Sequence, residues 1–409
     1  MTTPSEIGPS IEIQSTIKEW VPLGWDIDLG NVPDSDEIQG LITAEQNAPI
    51  QVVKDLSLRA KVLDACGMTC TFCHNEGTPV AVDNPGGIIA IRGITGRSGR
   101  ISVFSEDNGV DFLPGRMNPG DPSFSDSLIT MRDQLGLREL HLTGGEPTLH
   151  PKLPQIIATA RALGYSVGMT SNGEKGAEKI KECALQGLEK INFSIFGTNP
   201  SELASVQNER FQDEELAAKK ISALHASIGA AADAGILVGA NIVMSDDSHA
   251  SRVKRLLEEF DSRLDVRILP DLSDTHKSAL AIYRLLAKMR ATPIITTIEA
   301  GSSNARVKYA LPNGRLVSFK QIRPTRLEVC DGCPRNNPTD CKEGFYGTRL
   351  YVDRQGEYKV GVCLQRMDLT ESVQDFIKGD LSEQVVNLRE IEYNELMSHY
   401  EKGPKNVSD

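Results

Sequence analysis

Seven of the eight cysteines in this sequence fall into two groups whose spacing is typical of metal binding. The remaining one, Cys183, lies in a segment predicted to be a helix, and we interpret it as a small core residue. The start of the chain, MTTPSEIGPS, shows no signal-peptide pattern, so the cysteines are more typical of metal ligands or reactive thiols than of disulfides. The groups are Cys66-x3-Cys70-x2-Cys73 and Cys330-x2-Cys333-x7-Cys341-x21-Cys363.

Three thiolates on one loop, as in the first group, can hold three corners of an iron–sulfur cube and leave the fourth iron open. Zinc competes with this interpretation, because zinc also favours cysteines at short spacing. A structural zinc site needs a fourth ligand, and His74 directly follows Cys73, where it is badly placed to close the same tetrahedron. A disulfide would leave one cysteine unpaired. The second group, on its residues alone, fits a zinc site and an iron–sulfur site equally well.

The elements that position these cysteines alternate between strand and helix. Residues 56–62 alternate apolar and polar side chains, which predicts a strand leading directly into the first group. From residue 123 onward the pattern completes six strand-then-helix units, which predicts an α/β fold with a parallel sheet, either a partial barrel or a doubly wound sheet. In both cases, catalytic loops lie at the carboxyl ends of the strands.

Three regions divide the chain. Residues 1–54 are predicted to be an N-terminal extension, residues 55–270 the barrel with an insertion at about 78–122, and residues 271–409 a small C-terminal domain with hairpins. The net charge of −12 argues against nonspecific binding to nucleic acid or to anionic membranes. No apolar run is long enough to span a membrane, so we expect a cytoplasmic protein with neither kind of partner.

Motifs at successive predicted strand ends make the stretch from about 55 to 270 resemble the radical S-adenosylmethionine (SAM) superfamily. The cysteine motif of this superfamily follows the first barrel strand and has an aromatic residue, here Phe72, before its last cysteine. A glycine-rich element ends the second strand, and polar residues end the next two. These are Gly144-Gly145-Glu146-Pro147, Thr170-Ser171-Asn172-Gly173 and Ser194.

This resemblance implies a partial (β/α)6 TIM-like barrel with a [4Fe–4S] cluster at Cys66, Cys70 and Cys73. SAM would chelate the open iron, and one-electron reduction by a donor such as flavodoxin or ferredoxin would yield a 5′-deoxyadenosyl radical. The glycines would let the backbone approach SAM closely, and Glu146 would accept a hydrogen bond from its ammonium group. The other implied SAM-binding residues are Phe72 near the adenine and Ser171, Asn172 and Ser194 for the ribose or carboxylate.

The second cysteine group resembles the auxiliary-cluster domain of the molybdenum-cofactor GTP cyclase branch. The resemblance implies a small C-terminal α+β domain with a second [4Fe–4S] cluster, and the hairpin that begins at Arg349 supports it. That branch uses three cysteines and leaves an iron open for the substrate. Here Cys341 lies within the spacer and could be the fourth ligand, which would favour electron transfer over substrate binding.

Other departures argue against GTP cyclisation. His141 and Gly239 stand where the branch has an arginine and a lysine, and the C-terminal Gly-Gly is absent. Arg59 does match a GTP-binding arginine, and we expect this candidate catalytic residue to meet an anionic or carbonyl-bearing substrate. A run of six bases without an acid between Arg306 and Arg326 indicates an anionic ligand or a solvated hairpin face.

We therefore expect a radical SAM enzyme that rearranges, oxidises or cyclises a small, anionic biosynthetic intermediate such as a nucleoside or nucleotide. The alternative is a peptide-modifying member of the superfamily. That alternative is weakened because residues 1–54 are too short for the peptide-binding winged helix that such enzymes often carry. A structural protein with two metal sites is a third hypothesis, but it predicts none of the barrel motifs.

Overall fold

The computed structural model describes residues 34–85, 96–323 and 325–401 of the chain. The first 33 residues of the predicted extension, part of the insertion and the predicted C-terminal tail lie outside this range. The helices are α1 Ser35–Gln46, α2 Pro122–Leu135, α3 Leu153–Ala162, α4 Gly176–Leu185, α5 Pro200–Ser205, α6 Glu214–Asp233, α7 Ala250–Glu259, α8 Thr275–Lys288, α9 Val373–Lys378 and α10 Asp380–Glu401.

The strands form one sheet in the order β1-β8-β9-β10-β7-β6-β5-β4-β3-β2-β11-β12-β13. Their bounds are β1 Ile50–Lys54, β2 Ser57–Lys61, β3 Glu139–Thr143, β4 Ser166–Ser171, β5 Leu188–Ile195, β6 Leu237–Met244, β7 Leu264–Pro270, β8 Thr292–Ala300, β9 Asn304–Ala310, β10 Leu316–Ile322, β11 Thr348–Val352, β12 Tyr358–Gly361 and β13 Glu371–Ser372.

The six strands from β2 to β7 are parallel neighbours in chain order. Helices α2, α3, α4, α6 and α7 lie in the connections between them, as parallel strands require. Alternate strand residues such as Leu58, Leu140 and Val167 are fully buried in one hydrophobic core with these helices. The expected α/β class and partial barrel are confirmed.

Side-chain caps fix where several of the crossover helices begin. Asp121 accepts a hydrogen bond from the backbone of Ser123 at the start of α2, and Asp213 accepts one from Leu216 at the start of α6. Gly136 ends α2 in the left-handed conformation that favours glycine. Asp121 and Asp213 lie in the connections that follow β2 and β5, where the chain passes from a strand end to a crossover helix.

Strands from the ends of the chain extend the barrel sheet on both sides. β11 pairs in parallel with β2, and β10 pairs in parallel with β7. β1, which lies within the predicted extension, pairs in parallel with β8. The sequence pattern missed β1 and β8, because the exposed start of β8 carries Pro293 and threonines in place of a clear alternation. The three-domain division stays a prediction, since the sheet continues across all three regions.

No helix among the described residues is both long enough and apolar enough to cross a membrane.

Candidate active site

The first cysteine group lies in the loop after β2, at the carboxyl end of the barrel strands, where the sequence predicted it. Cys70 is buried and its two partners are partly buried, and none of the three forms a disulfide. Burial raises the pKa of the Cys70 thiol to about 12. A thiol here therefore becomes a thiolate only with a strong cationic partner, which an iron–sulfur cluster supplies.

Amide groups aim at two of these sulfur atoms. Asn172 Nδ2 lies 3.6 Å from Cys66 Sγ, and Gln207 Nε2 lies 3.6 Å from Cys70 Sγ. The backbone amide of Met68 lies 3.4 Å from Cys66 Sγ. Amide donors of this kind stabilise thiolates and tune the clusters they hold. The donor set fits a [4Fe–4S] cluster at these three cysteines.

Gly144 and Gly145 lie against the backbone of the cysteine loop. A Cβ on Gly144 would lie 2.5 Å from the carbonyl oxygen of Leu63, and one on Gly145 would lie 2.2 Å from that of Asp64. Gly144 also has a φ of +154°, which side chains rarely adopt. The absence of side chains at these two positions makes room for the cysteine loop, and their close approach to SAM stays a prediction.

Glu146 is buried after the end of β3, and its carboxylate accepts four hydrogen bonds from the protein. Oε1 accepts from Ser171 Oγ at 2.7 Å and from the backbone amide and hydroxyl of Thr148 at 3.0 and 2.6 Å. Oε2 accepts from the backbone amide of Asn172 at 2.6 Å. A carboxylate offers about four acceptor sites, two on each oxygen, so Oε2 keeps one for an ammonium such as that of SAM. The bonds tie the ends of β3 and β4 together.

The remaining predicted SAM-binding residues lie around the same strand ends. The Phe72 ring is 49% exposed and its centroid lies 5.3 Å from that of Phe196, so an aromatic surface is open beside the cysteines. Ser194 is partly buried on β5, in register with Asn241 of β6. Both residues are placed where the sequence predicted, and their contact with SAM stays a prediction.

Arg59 shares a carboxylate with a second arginine. Its Nη2 lies 3.7 Å from Glu76 Oε1, and Nε of Arg349, its register partner on β11, lies 3.3 Å from Glu76 Oε2. Although burial opposes ionisation, the nearby cations lower the pKa of Glu76. Asn75 and Glu76 both have positive φ, a strained conformation that is common at functional sites. Arg59 Nε is buried without a hydrogen-bond partner in the described part of the chain.

Further cations lie on the sheet face opposite the helices. The guanidinium of Arg267 on β7 occupies the space above Gly239, where a Cβ would lie 3.1 Å from its Cζ. Arg267 bonds Asp265 and Asn192, and its Nη2 has no hydrogen-bond partner among the described residues. Lys190 on β5 lies beside His141 across Gly168. Nζ of Lys190 forms no hydrogen bond or ion pair with any described residue.

Burial and the crowding of cations on this face of the sheet explain the lowered pKa values of Lys190 and His141. Desolvation lowers the pKa of Lys190, and the neighbouring Arg267 and Arg306 lower it further. Desolvation also lowers the pKa of His141, again with help from Arg59 and Lys190, and its Nε2 lies 2.8 Å from Thr170 Oγ1. Arg59 is paired with Glu76 and Arg267 with Asp265. Nζ of Lys190 and Nη2 of Arg267 nevertheless have no partner among the described residues, an arrangement that suits an anionic ligand.

The six bases between Arg306 and Arg326 do not form one patch. Arg323 is buried in an ion pair with Glu392, and Arg315 donates to the backbone carbonyls of Leu257 and Phe260. Lys320 lies 4.1 Å from the centroid of the Tyr346 ring, which also faces Arg59. The structure therefore brings Lys320 and Arg306, but not the whole run, to the site.

The second cysteine group converges on one cavity. Cys330, Cys333, Cys341 and Cys363 all line it, and none forms a disulfide. Arg326 Nη2 donates to the carbonyl of Cys341 at 2.7 Å and so fixes the spacer that contains this residue. Burial raises the pKa of the Cys330 and Cys363 thiols. The charge of Cys341 adds to the rise at both, and that of Cys363 adds to the rise at Cys330. Four thiols that line one cavity provide the donor type of an iron–sulfur or zinc site, and metal binding here stays a prediction.

Asn108 of the insertion joins the two cysteine sites. Its Nδ2 donates to the carbonyl oxygens of Gly77 and Leu364 at 2.7 and 2.8 Å. Gly77 follows the first cysteine group and Leu364 follows Cys363, so the two loops touch. The sequence analysis missed Asn108, Glu76, Lys190 and Arg267, because single polar residues in loops and strands carry no motif. Only the alternation of polar and apolar residues along β5 and β7 could have indicated the two cations.

Residues 61–245 match the family model described as the Radical SAM superfamily. A protein of Saccharolobus solfataricus named "Probable GTP 3′,8-cyclase" is 26% identical over 346 residues, which cover 80% of this chain and 89% of that protein. A PqqA peptide cyclase of Streptomyces rochei is 24% identical over 56% of this chain and 57% of that protein. The crystal structure of Streptococcus suis SuiB aligns with a TM-score of 0.44 and 13% identity, over 89% of this chain and 71% of that one.

Proposed function

We propose that this chain, whose residues 61–245 match the Radical SAM superfamily, is a radical SAM enzyme that rearranges, oxidises or cyclises a small anionic intermediate, such as a nucleotide. The single observation that supports this substrate class is the set of cations on the open face of the barrel sheet. When bound, the cluster and SAM would supply a 5′-deoxyadenosyl radical that abstracts a hydrogen atom from the substrate. The protein's own residues bind and orient that substrate.

Lys190 and Arg267 are suited to hold its anionic group. Lys190 has no carboxylate partner among the described residues, and Arg267 presents a free Nη2 beside it. They lie next to His141 and Gly239, the positions where the sequence analysis expected positive charge to be lost. We infer that these two cations compensate for the arginine and lysine that are absent at His141 and Gly239, which supports a nucleotide as substrate.

Arg59 is suited to orient the substrate nearer the cysteine loop. Its guanidinium is held by Glu76 and faces Tyr346, while its buried Nε has no partner in the described part of the chain. An unpaired buried donor is costly unless a ligand completes it. A phosphate or carbonyl oxygen of the substrate would do so.

We infer that the second cysteine group holds an auxiliary [4Fe–4S] cluster with four protein ligands. The convergence of all four thiols on one cavity supports this inference. With no iron left open, the cluster would exchange electrons with the substrate or product and would not hold the substrate. The hydrogen bonds of Asn108 to Gly77 and Leu364, which join the loops of the two cysteine groups, support electron exchange between the two sites.

The test uses anaerobically reconstituted full-length enzyme with SAM and dithionite. We expect nucleoside triphosphates, including GTP, to increase the rate of 5′-deoxyadenosine formation, and uncharged nucleosides to have little effect. Arg267→Met should abolish that stimulation and keep the basal rate, whereas Arg263→Met, at an exposed surface ion pair, should behave as wild type. Stimulation by neutral peptides alone, or by no anionic compound, would contradict the proposal.

A further inference from the structure

A buried group of charges closes the first cysteine loop. Asp64 accepts from Lys61 Nζ at 2.9 Å through Oδ1 and from Arg100 Nη1 at 3.1 Å through Oδ2. The Lys61 side chain is 2% exposed, and those of Asp64 and Arg100 are each 7% exposed. Further bonds to the same carboxylate come from Asn75 Nδ2 and the backbone of Ala81, both at 2.9 Å. The Asp64 carboxylate thus accepts four hydrogen bonds in a largely buried setting.

Arg100 spans both ends of the cysteine loop. Besides Asp64, which precedes Cys66 by two residues, it donates from Nη2 to Asn75 Oδ1 at 3.0 Å, and Asn75 follows Cys73 by two residues. The chain after Arg100 continues along the loop, where the Val103 amide donates to the carbonyl of Cys73 at 2.9 Å. The insertion that carries Arg100 therefore forms one wall of the cluster site.

The charges of this group do not cancel. In the described part of the chain, Asp64 provides the only carboxylate within 4.0 Å of the charged nitrogen atoms of Lys61 and Arg100. Arg100 also lines a cavity of about 580 Å³ together with Cys66. The group therefore carries a net positive charge against both ends of the cysteine loop.

We propose that Lys61 and Arg100 raise the reduction potential of the cluster held by Cys66, Cys70 and Cys73, which makes Arg100 a positioning residue that also tunes the cluster. The proposal rests on the proposed function, since it needs that cluster. Reduction adds one electron from a low-potential one-electron donor and so adds one negative charge to the site. A nearby buried cation stabilises the reduced form, because little solvent screens the interaction.

The experiment is a redox titration of the reconstituted holoenzyme, followed by electron paramagnetic resonance with dithionite as the probe reductant. The signal that changes on addition of SAM identifies the first cluster. We expect Arg100→Met to lower the equilibrium constant for reduction about tenfold, a shift of about 59 mV to more negative potential for one electron. Lys61→Met should shift it in the same direction, and Arg100→Lys should stay near wild type.

Arg116→Met is the matched control, because Arg116 lines the same cavity but makes no hydrogen bond to any described residue of the cysteine loop. An unchanged potential in Arg100→Met with full iron content would overturn the inference. If Arg100→Met loses iron, Lys61→Met decides in the same way. Failure of the wild-type enzyme to assemble a SAM-responsive cluster would instead contradict the proposed function, so the two failures are distinguishable.

Discussion

Ser171 donates a hydrogen bond of 2.7 Å from its hydroxyl to Oε1 of Glu146, across the ends of two adjacent parallel strands. Both side chains are 1% exposed. Desolvation raises the pKa of Glu146, and the hydrogen bonds from Asn172, Thr148 and Ser171 oppose that rise. The carboxylate therefore holds the glycine-rich element and the polar motif of β4 together by hydrogen bonds, whether or not it also binds SAM.

Glu146→Gln should weaken these hydrogen bonds between the two strand ends, because the amide group of glutamine presents donors where the protein already supplies donors. We expect the free energy of unfolding to fall by about 3 kcal/mol, the cost of leaving buried groups unsatisfied. Ser171→Ala removes a single bond and should cost about 1 kcal/mol. Chemical denaturation of the two variants measures both values. Equal, negligible losses would show that the carboxylate is free for SAM.

Gly145→Ala should disrupt the cysteine loop, because the new Cβ would lie 2.2 Å from the carbonyl of Asp64 and 2.3 Å from that of Ala65. Backbone cannot yield cheaply, so we expect a loss of about 3 kcal/mol and a lower iron content. Gly229→Ala in α6 is the control, since nothing lies within 4 Å of its Cβ position. That variant should gain about 1 kcal/mol from helix propensity. Similar behaviour of the two variants would contradict the packing role.

Cys341→Ser tests whether the auxiliary site has four ligands. If Cys341 binds iron, we expect the variant to lose the iron of one cluster, about four atoms per chain. Cys183→Ser is the matched control, because Cys183 is fully buried in α4 within the hydrophobic core. Iron and sulfide analysis with visible absorbance measures the difference. Full iron content and an unchanged spectrum in Cys341→Ser would leave three ligands and an open iron.

The series of parallel strands could be predicted from the sequence, because each strand and its crossover helix has a local pattern of its own. That pattern is an apolar alternation followed by a capped helix. β1 and β8 could not be predicted in the same way. They pair with each other across more than 200 residues of chain, and no local pattern reports such a distant partner. The pairing of β11 with β2, which joins the hairpin at Arg349 to the strand of Arg59, is equally non-local.

The candidate site likewise contains residues that local motifs predict and residues whose role depends on contacts between distant segments. Its cysteines, glycines and strand-end polar residues are contiguous motifs, and the structure brings them together as predicted. Arg267 could not be assigned from the sequence, because its role depends on the space left by Gly239 on the neighbouring strand. The bonds that occupy Glu146 depend likewise on Ser171 and Asn172 of β4.

Arg59→Gln should separate radical formation from substrate turnover. Glutamine keeps polarity but loses the charge that meets Glu76, so we expect SAM cleavage without substrate to continue while KM for an anionic substrate rises about tenfold or more. Product and 5′-deoxyadenosine are measured in the same assay to give their ratio. Unchanged KM and an unchanged ratio would exclude Arg59 from substrate binding.

His150 should make the protein sensitive to acid. The ring is 1% exposed, Nε2 donates to the carbonyl of Met117 at 2.9 Å, and Nδ1 accepts from the backbone amide of Lys152 at 3.1 Å. Those partners require the neutral ring, and desolvation lowers the pKa of His150 to about 4 from its ordinary value of 6.5. A lowered histidine pKa means that the unfolded chain takes up the proton first, so stability is complete above pH 6.5 and falls as the pH drops towards 4.

The magnitude follows from the width of that interval. Because the pKa of His150 is about 4 in the folded protein and 6.5 as its ordinary value, the free energy of unfolding falls by about 3 kcal/mol between pH 6.5 and pH 4. His150→Gln should be less stable at pH 7.5, because the glutamine amide cannot span both backbone partners as well, but its stability should vary less over the same range. Urea denaturation at a series of pH values measures both effects. Parallel curves for the two proteins would mean that the ring does not titrate with unfolding.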